Sequence, residues 1–247
     1  MDLSKSIALI TGGASGLGLA ITNDILTSGG LAIVLDRDGK ALQAIEINPN
    51  LHTYQVDLLE TDKLLDLLKV IFDKHKVNVL INNAGILHNK PLVSFGANGF
   101  SKLSESDWDL VLNINLKVPF VLCREVSEHF IRNRIKGVII NISSIAAQGN
   151  IGQSAYSASK AGLEAFTVVL AKELGPMGIR AAAIAPGFMD TSSTHHIMNP
   201  SYLSNLVKSI PMRKLGKDSE IAKSVKFIIE NEYYTGKVLS IDGGLNL

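Results

Sequence analysis

Tyr156 and Lys160 stand four residues apart in "SAYSASK" (154–160), a spacing that puts both side chains on one face of a helix. A phenol has an unperturbed pKa near 10, and a cation held beside it favours the phenolate by roughly one to three units. The pair could therefore exchange a proton with a substrate oxygen near neutral pH. A Tyr-x-x-x-Lys alone is common surface decoration. Its placement sets this one apart, because the apolar run "GVIINI" (137–142) ends in two serines, Ser143 and Ser144, shortly upstream.

A second constellation sits near the N-terminus. "TGGASGLG" (11–18) follows an apolar run and opens a helix-like segment, placing Gly12, Gly16 and Gly18 where a backbone must turn tightly and approach a pyrophosphate. Asp36 closes the next apolar run, eighteen residues beyond Gly18, where a carboxylate can accept hydrogen bonds from an adenosine ribose and would repel a 2′-phosphate. Arg37 follows it, but the glycine loop holds no cation, so the charge argument favours NAD over NADP. Asp57 and "NNAG" (82–85) end the next two apolar runs on the adenine and ribose side. For Asn82 and Asn83, tying neighbouring strands and touching a cofactor are equally good readings.

The elements that must position these groups follow from periodicity. Residues 6–11, 31–36, 51–56, 77–82, 137–142, 180–185 and 237–241 read as strands, mostly apolar throughout, as strands covered on both faces should be. Between them lie amphipathic segments such as 60–76, where Leu64, Leu67, Leu68, Ile71 and Phe72 share one face. The alternation predicts an α/β, Rossmann-like, doubly wound, seven-stranded parallel sheet in a single domain spanning 1–247, with ligands beyond the carboxyl ends of the strands. Two longer loops interrupt it, 86–104 and roughly 187–212.

Composition narrows the partners. With 24 basic and 23 acidic residues, no global field exists to hold nucleic acid or an anionic membrane, and a small molecule is the expected partner. The single cysteine, Cys123, has no internal partner for a disulfide, and "MDLSKSIALI" lacks the pattern of a secretory leader, so the expectation is a soluble, cytoplasmic chain without a membrane anchor. The six histidines show no ligand spacing, and no metal is expected.

Along essentially its whole length the chain resembles the short-chain dehydrogenase/reductases. "TGGASGLG", "NNAG", "NINL", "NISS", "YSASK", "APG" and "IDGG" stand in that family's order. The resemblance implies that Tyr156 transfers a proton, that Lys160 lowers its pKa and binds the nicotinamide ribose, and that a serine polarises the substrate oxygen. Asn115, rather than Asn113, would hold a water linking Lys160 to solvent. Spacing to the tyrosine selects Ser143, whereas the second position of the family's Ser-Ser motif selects Ser144. Successive strand residues face opposite ways, and Ser144 is the expected catalytic serine, with Ser143 structural.

The cofactor set implied is Gly12, Ser15, Gly16, Leu17, Gly18, Asp36, Asp57, Leu58, Asn83, Ala84, Gly85, Tyr156, Lys160, Pro186, Gly187, Phe188 and Thr191. Gln153 falls on the substrate side with Ser144 and Tyr156. Within the family, the run 137–162 looks most like the type-2 3-hydroxyacyl-CoA dehydrogenases, which implies an NAD-linked homotetramer acting on 3-hydroxyacyl-CoA. Reduction of a 3-oxoacyl-carrier protein, or oxidation of a sugar, polyol or steroid alcohol, is the alternative, and a non-catalytic nucleotide sensor is a third reading. Met189, Ile197, Met198, Tyr202 and Leu206 could close an apolar roof over the substrate.

Overall fold

Among the described residues, nine strands form two sheets: β1 (Ile7–Thr11), β2 (Leu31–Asp36), β3 (Leu51–Gln55), β4 (Val79–Asn82), β5 (Val93–Gly96), β6 (Gly99–Lys102), β7 (Val138–Ile142), β8 (Arg180–Pro186) and β9 (Val238–Ile241). The computed structural model describes residues 1–96, 99–191, 194 and 200–245, with Pro200 and Tyr202 described in the main chain only. The seven apolar runs make one parallel sheet in the order β3-β2-β1-β4-β7-β8-β9. The chain winds outward from β1 to β3, returns to β4, and then winds the other way. That reversal opens a crevice at the carboxyl ends of β1 and β4.

The helices are α1 (Gly16–Thr27), α2 (Gly39–Ala44), α3 (Thr61–Lys74), α4 (Glu105–Leu112), α5 (Val118–Arg132), α6 (Ser154–Leu174), α7 (Pro200–Ser209) and α8 (Asp218–Glu230). A π-helical turn, Asn113–Lys117, joins α4 to α5. Side-chain alternation in β1 sends Leu9 to one face and Ala8 and Ile10 to the other. Leu9 packs into a core with Leu64, Leu68 and Ile71 of α3, Leu122 and Phe130 of α5, and Leu170 and Leu174 of α6. Ile10 joins Ile21 and Ile25 of α1 and Ile221, Val225 and Ile228 of α8. Helices thus cover both faces of a single-domain Rossmann-like fold, and the continuous apolar strands are explained by burial on both sides.

Two expectations need correction. Residues 86–104 are not only loop, since β5 and β6 form an antiparallel hairpin with Phe95 facing Phe100 across it. Both strands are exposed, so no buried face imposed an apolar alternation that the sequence could display. The segment 187–212 likewise contains α7 and a bridge pairing Met189 with Gly216. Of the expected roof, Met189 is buried, whereas Ile197, Met198 and the Tyr202 side chain lie outside the described residues.

Candidate active site

A cleft of about 630 Å³ runs along the carboxyl edge of the sheet. At its nucleotide end, Gly12 and Gly16 both adopt the left-handed backbone, with φ of 63° and 50°. Around Gly16 there is open space, with nothing within 4 Å of where a Cβ would lie. Ser15 begins α1 without a side-chain cap, so the first-turn amides of that helix are left to the cleft, and they carry the positive end of the helix dipole. Asp36 sits at the end of β2, accepting from the amides of Ala14 (3.2 Å) and Asp38 (3.1 Å), which fixes its carboxylate beside the loop. A glycine cradle, orphan amides and a strand-end carboxylate together fit the pyrophosphate and adenosine ribose of a dinucleotide.

The loop is held from below by "NNAG". Thr11 Oγ1 accepts from the amides of Asn83 and Ala84 at 3.1 Å each, while Asn83 Nδ2 donates to the carbonyls of Thr11 (3.1 Å) and Gly12 (2.9 Å). Asn82 is buried and donates to Asn141 Oδ1 at 2.8 Å, tying β4 to β7. Asn82 is therefore a strand tie, and Asn83 both ties the loop and lines the cleft. Gly18 stands behind the cleft wall. A Cβ there would lie 2.0 Å from the Gly12 carbonyl oxygen, so the close turn requires a glycine here.

At the chemical end, three consecutive residues leaving β7 meet three side chains spaced four apart on α6. Lys160 Nζ donates to the Ile142 carbonyl at 2.7 Å, Ser143 Oγ donates to Glu164 Oε1 at 2.7 Å, and the Ser144 hydroxyl stands on the Tyr156 side, where it favours the ionised phenol. Alternation at the strand end explains the split. Ser144 turns to the tyrosine and also caps a short 3₁₀ turn by accepting from the Ala146 amide, whereas Ser143 turns inward to Glu164.

Electrostatics here differ from the expectation drawn from the Tyr-Lys spacing. Burial raises the Tyr156 pKa above the ordinary phenol value, and the nearby Ser144 hydroxyl offsets only part of this. Lys160 Nζ lies over the Tyr156 ring, 5.7 Å from its centroid, and its proton affinity is itself reduced to about 8 because it is buried. Dehydration dominates, so the tyrosine is held as a proton donor.

Asn115 is fully buried in the π-helical turn. Its Oδ1 accepts from the Ile86 amide at 2.9 Å, and its Nδ2 donates to the Ile86 carbonyl (2.9 Å) and Ser159 Oγ (3.2 Å). The side-chain amide is thus occupied by protein partners, and it anchors the chain just after "NNAG" rather than facing the cleft. Gly85 lies between this residue and the lysine. An added Cβ would be 3.2 Å from Asn115 Oδ1 and 3.5 Å from Lys160 Nζ.

Of the remaining expected residues, Ser15, Leu17, Asp57, Leu58, Ala84, Gly85, Gln153, Pro186, Gly187, Phe188 and Thr191 line the cleft together with Ser144, Tyr156 and Lys160. Sequence reasoning missed Asn89 and Asn150, which flank the substrate end, and Thr194, whose hydroxyl donates to the Met189 carbonyl at 2.7 Å. The Lys90 amide donates to the Gly152 carbonyl at 2.7 Å and joins the two segments carrying those asparagines. Such a backbone contact leaves no signal in residue types. Glu164 was also missed, although its spacing of four from Lys160 was available.

Residues 6–200 match the family model described as short chain dehydrogenase. The chain is 35% identical over 254 aligned positions to 3-oxoacyl-(acyl-carrier-protein) reductase FabG of Thermotoga maritima, covering 99% of each, and 34% identical to the enzyme of the same name from Buchnera aphidicola, again covering 99% of each. Among solved structures it is similar to 4-hydroxyisoleucine dehydrogenase complexed with NADH, at 28% identity and a TM-score of 0.89, covering 97% of this chain and 98% of that one. No helix among the described residues is long and apolar enough to cross a membrane. With its glycine cradle and its Ser-Tyr-Lys cluster opening on one cleft, the chain belongs to the short-chain dehydrogenase/reductase family and is a nicotinamide-dependent oxidoreductase.

Proposed function

We propose that the protein interconverts a 3-oxoacyl thioester and its 3-hydroxy form with NAD(H), using Tyr156 as the proton donor and acceptor. The observation that carries this reading is the convergence of Ser144, Tyr156 and Lys160 on the cleft that begins at the glycine loop. Bound nicotinamide supplies or accepts the hydride. In reduction, the Tyr156 hydroxyl gives its proton to the substrate oxygen while the Ser144 hydroxyl donates to the same oxygen, and Lys160 lends positive charge from beneath. Asn115 sets the wall behind them. Gly12, Ser15, Gly16, Leu17 and the "NNAG" backbone hold the dinucleotide, with Asp36 at its adenosine end favouring NAD over NADP.

The thioester reading draws on Gln153. Its carboxamide lines the cleft at 8% exposure and has no hydrogen-bond partner among the described residues, which suits a second carbonyl on the substrate. Similarity to reductases of carrier-protein thioesters favours a carrier protein as the thiol portion. The NAD preference argued from Asp36 favours coenzyme A as the second reading. The test is oxidation of NADH and of NADPH by acetoacetyl-carrier protein and acetoacetyl-CoA, with Tyr156→Phe as control. NADH-selective turnover that the control abolishes supports the reading, the better thioester names the carrier, and inactivity with both thioesters overturns the substrate class.

A further inference from the structure

The geometry points to Glu164 as a positioning residue for the catalytic lysine, a role that rests on the Tyr156 chemistry proposed above. Tyr156, Lys160 and Glu164 form one stripe on α6, each one turn from the next, and the strand end lies along that stripe. The Ser143 hydroxyl is 3% exposed and reaches both Glu164 Oε1 at 2.7 Å and the Lys160 carbonyl at 3.4 Å. Glu164 thus grips the residue between Ile142, whose carbonyl accepts from Lys160 Nζ, and Ser144, which meets the tyrosine. Through Ser143 it fixes the register of both contacts.

It also supplies charge. Lys160 is 4% exposed, an expensive place for an ammonium group. The groups facing it are Tyr156 and Glu164 from its own helix, Ser143 and the Ile142 carbonyl from the strand end, and the neutral Asn115 amide across Gly85. Among the described residues, Glu164 is the acidic one whose charge acts on Lys160, and its own carboxyl is pushed upward by burial while Ser143 and Lys160 pull it back. The carboxylate favours the charged lysine that the reaction requires.

The experiment is an NMR titration of the cofactor-free protein carrying ε-¹³C-lysine, with the Lys160 signal identified by its loss in Lys160→Met. The expected midpoint in the unmodified chain is near 8. Glu164→Gln keeps an acceptor for Ser143 but removes the charge, and should lower the midpoint by roughly one pH unit. Glu164→Asp should restore it, and Ser143→Ala, which keeps the carboxylate, should move it less. The alkaline limb of turnover should shift in the same direction in Glu164→Gln. Coincident midpoints in Glu164→Gln and the unmodified chain would overturn the inference while leaving the Tyr156 reading intact. Undiminished turnover in Tyr156→Phe would overturn that reading, and with it the place of Glu164 in the reaction, whatever the lysine does.

Discussion

The two ends of the cleft are built from different materials. At the nucleotide end the working surface is main chain, shaped by glycines and by amides that a helix start leaves unpaired, with Asp36 pinned beside the loop. At the chemical end it is side chain, with Ser144, Tyr156 and Lys160 held by contacts between three successive strand residues and one helix stripe. Backbone recognition fails by steric intrusion, whereas side-chain chemistry fails by loss of a proton or a charge. Substitutions at the two ends should therefore leave different signatures.

The sharpest separation is expected from Tyr156→Phe. Removing the hydroxyl should lower turnover by roughly 10²- to 10⁴-fold with NADH affinity kept, as followed by nicotinamide fluorescence. A parallel loss of NADH binding would erase the distinction between the two ends.

Next in size is the cost of burying Lys160. Its folded pKa of about 8 lies below the ordinary lysine value of 10.5, so between these values the unfolded chain holds a proton that the folded chain has released. This group therefore weakens the fold at neutral pH, and stability regained as pH rises through that window should amount to about 3 kcal/mol. Urea unfolding at pH 7.5 and pH 10 should show the rise, and Lys160→Met should flatten it.

In the glycine loop, position decides magnitude. Gly18→Ala forces a Cβ against the Gly12 carbonyl and should cost about 3 kcal/mol together with cofactor binding, whereas Gly16→Ala meets no atom and should cost about 1 kcal/mol for its left-handed backbone. Equal effects would show that packing does not govern this end. Between these two in size, Asp36→Ala should shift the NADH-to-NADPH ratio of kcat/KM values about tenfold toward NADPH, or ~1.4 kcal/mol.

The contrast also explains what was legible. Glycines, strand-end carboxylates and apolar runs are local signals, so the sheet and the nucleotide end could be read directly from residues 7–36 and 79–85. The choice between Ser143 and Ser144 could not be settled by counting residues to the tyrosine, because it depends on which face of β7 meets α6. Asn115 shows the same limit. Its type and place were visible, but its commitment to Ile86 depends on a π-helical turn that no periodicity announces. The β5–β6 hairpin left no trace because its side chains are exposed and show no apolar alternation.

The strand order also carries a timetable. β1 finds both of its neighbours, β2 and β4, once residue 82 has been made, but β4 must wait for β7, which begins at Val138. At about 5–20 residues per second, a ribosome needs several seconds to cover that stretch. Throughout it Val79, Leu80 and Ile81, fully buried in the finished protein, have no strand on one side. The growing chain thus carries its glycine cradle early beside an open apolar edge, and the strand that closes this edge is the one that leads into Ser143 and Ser144.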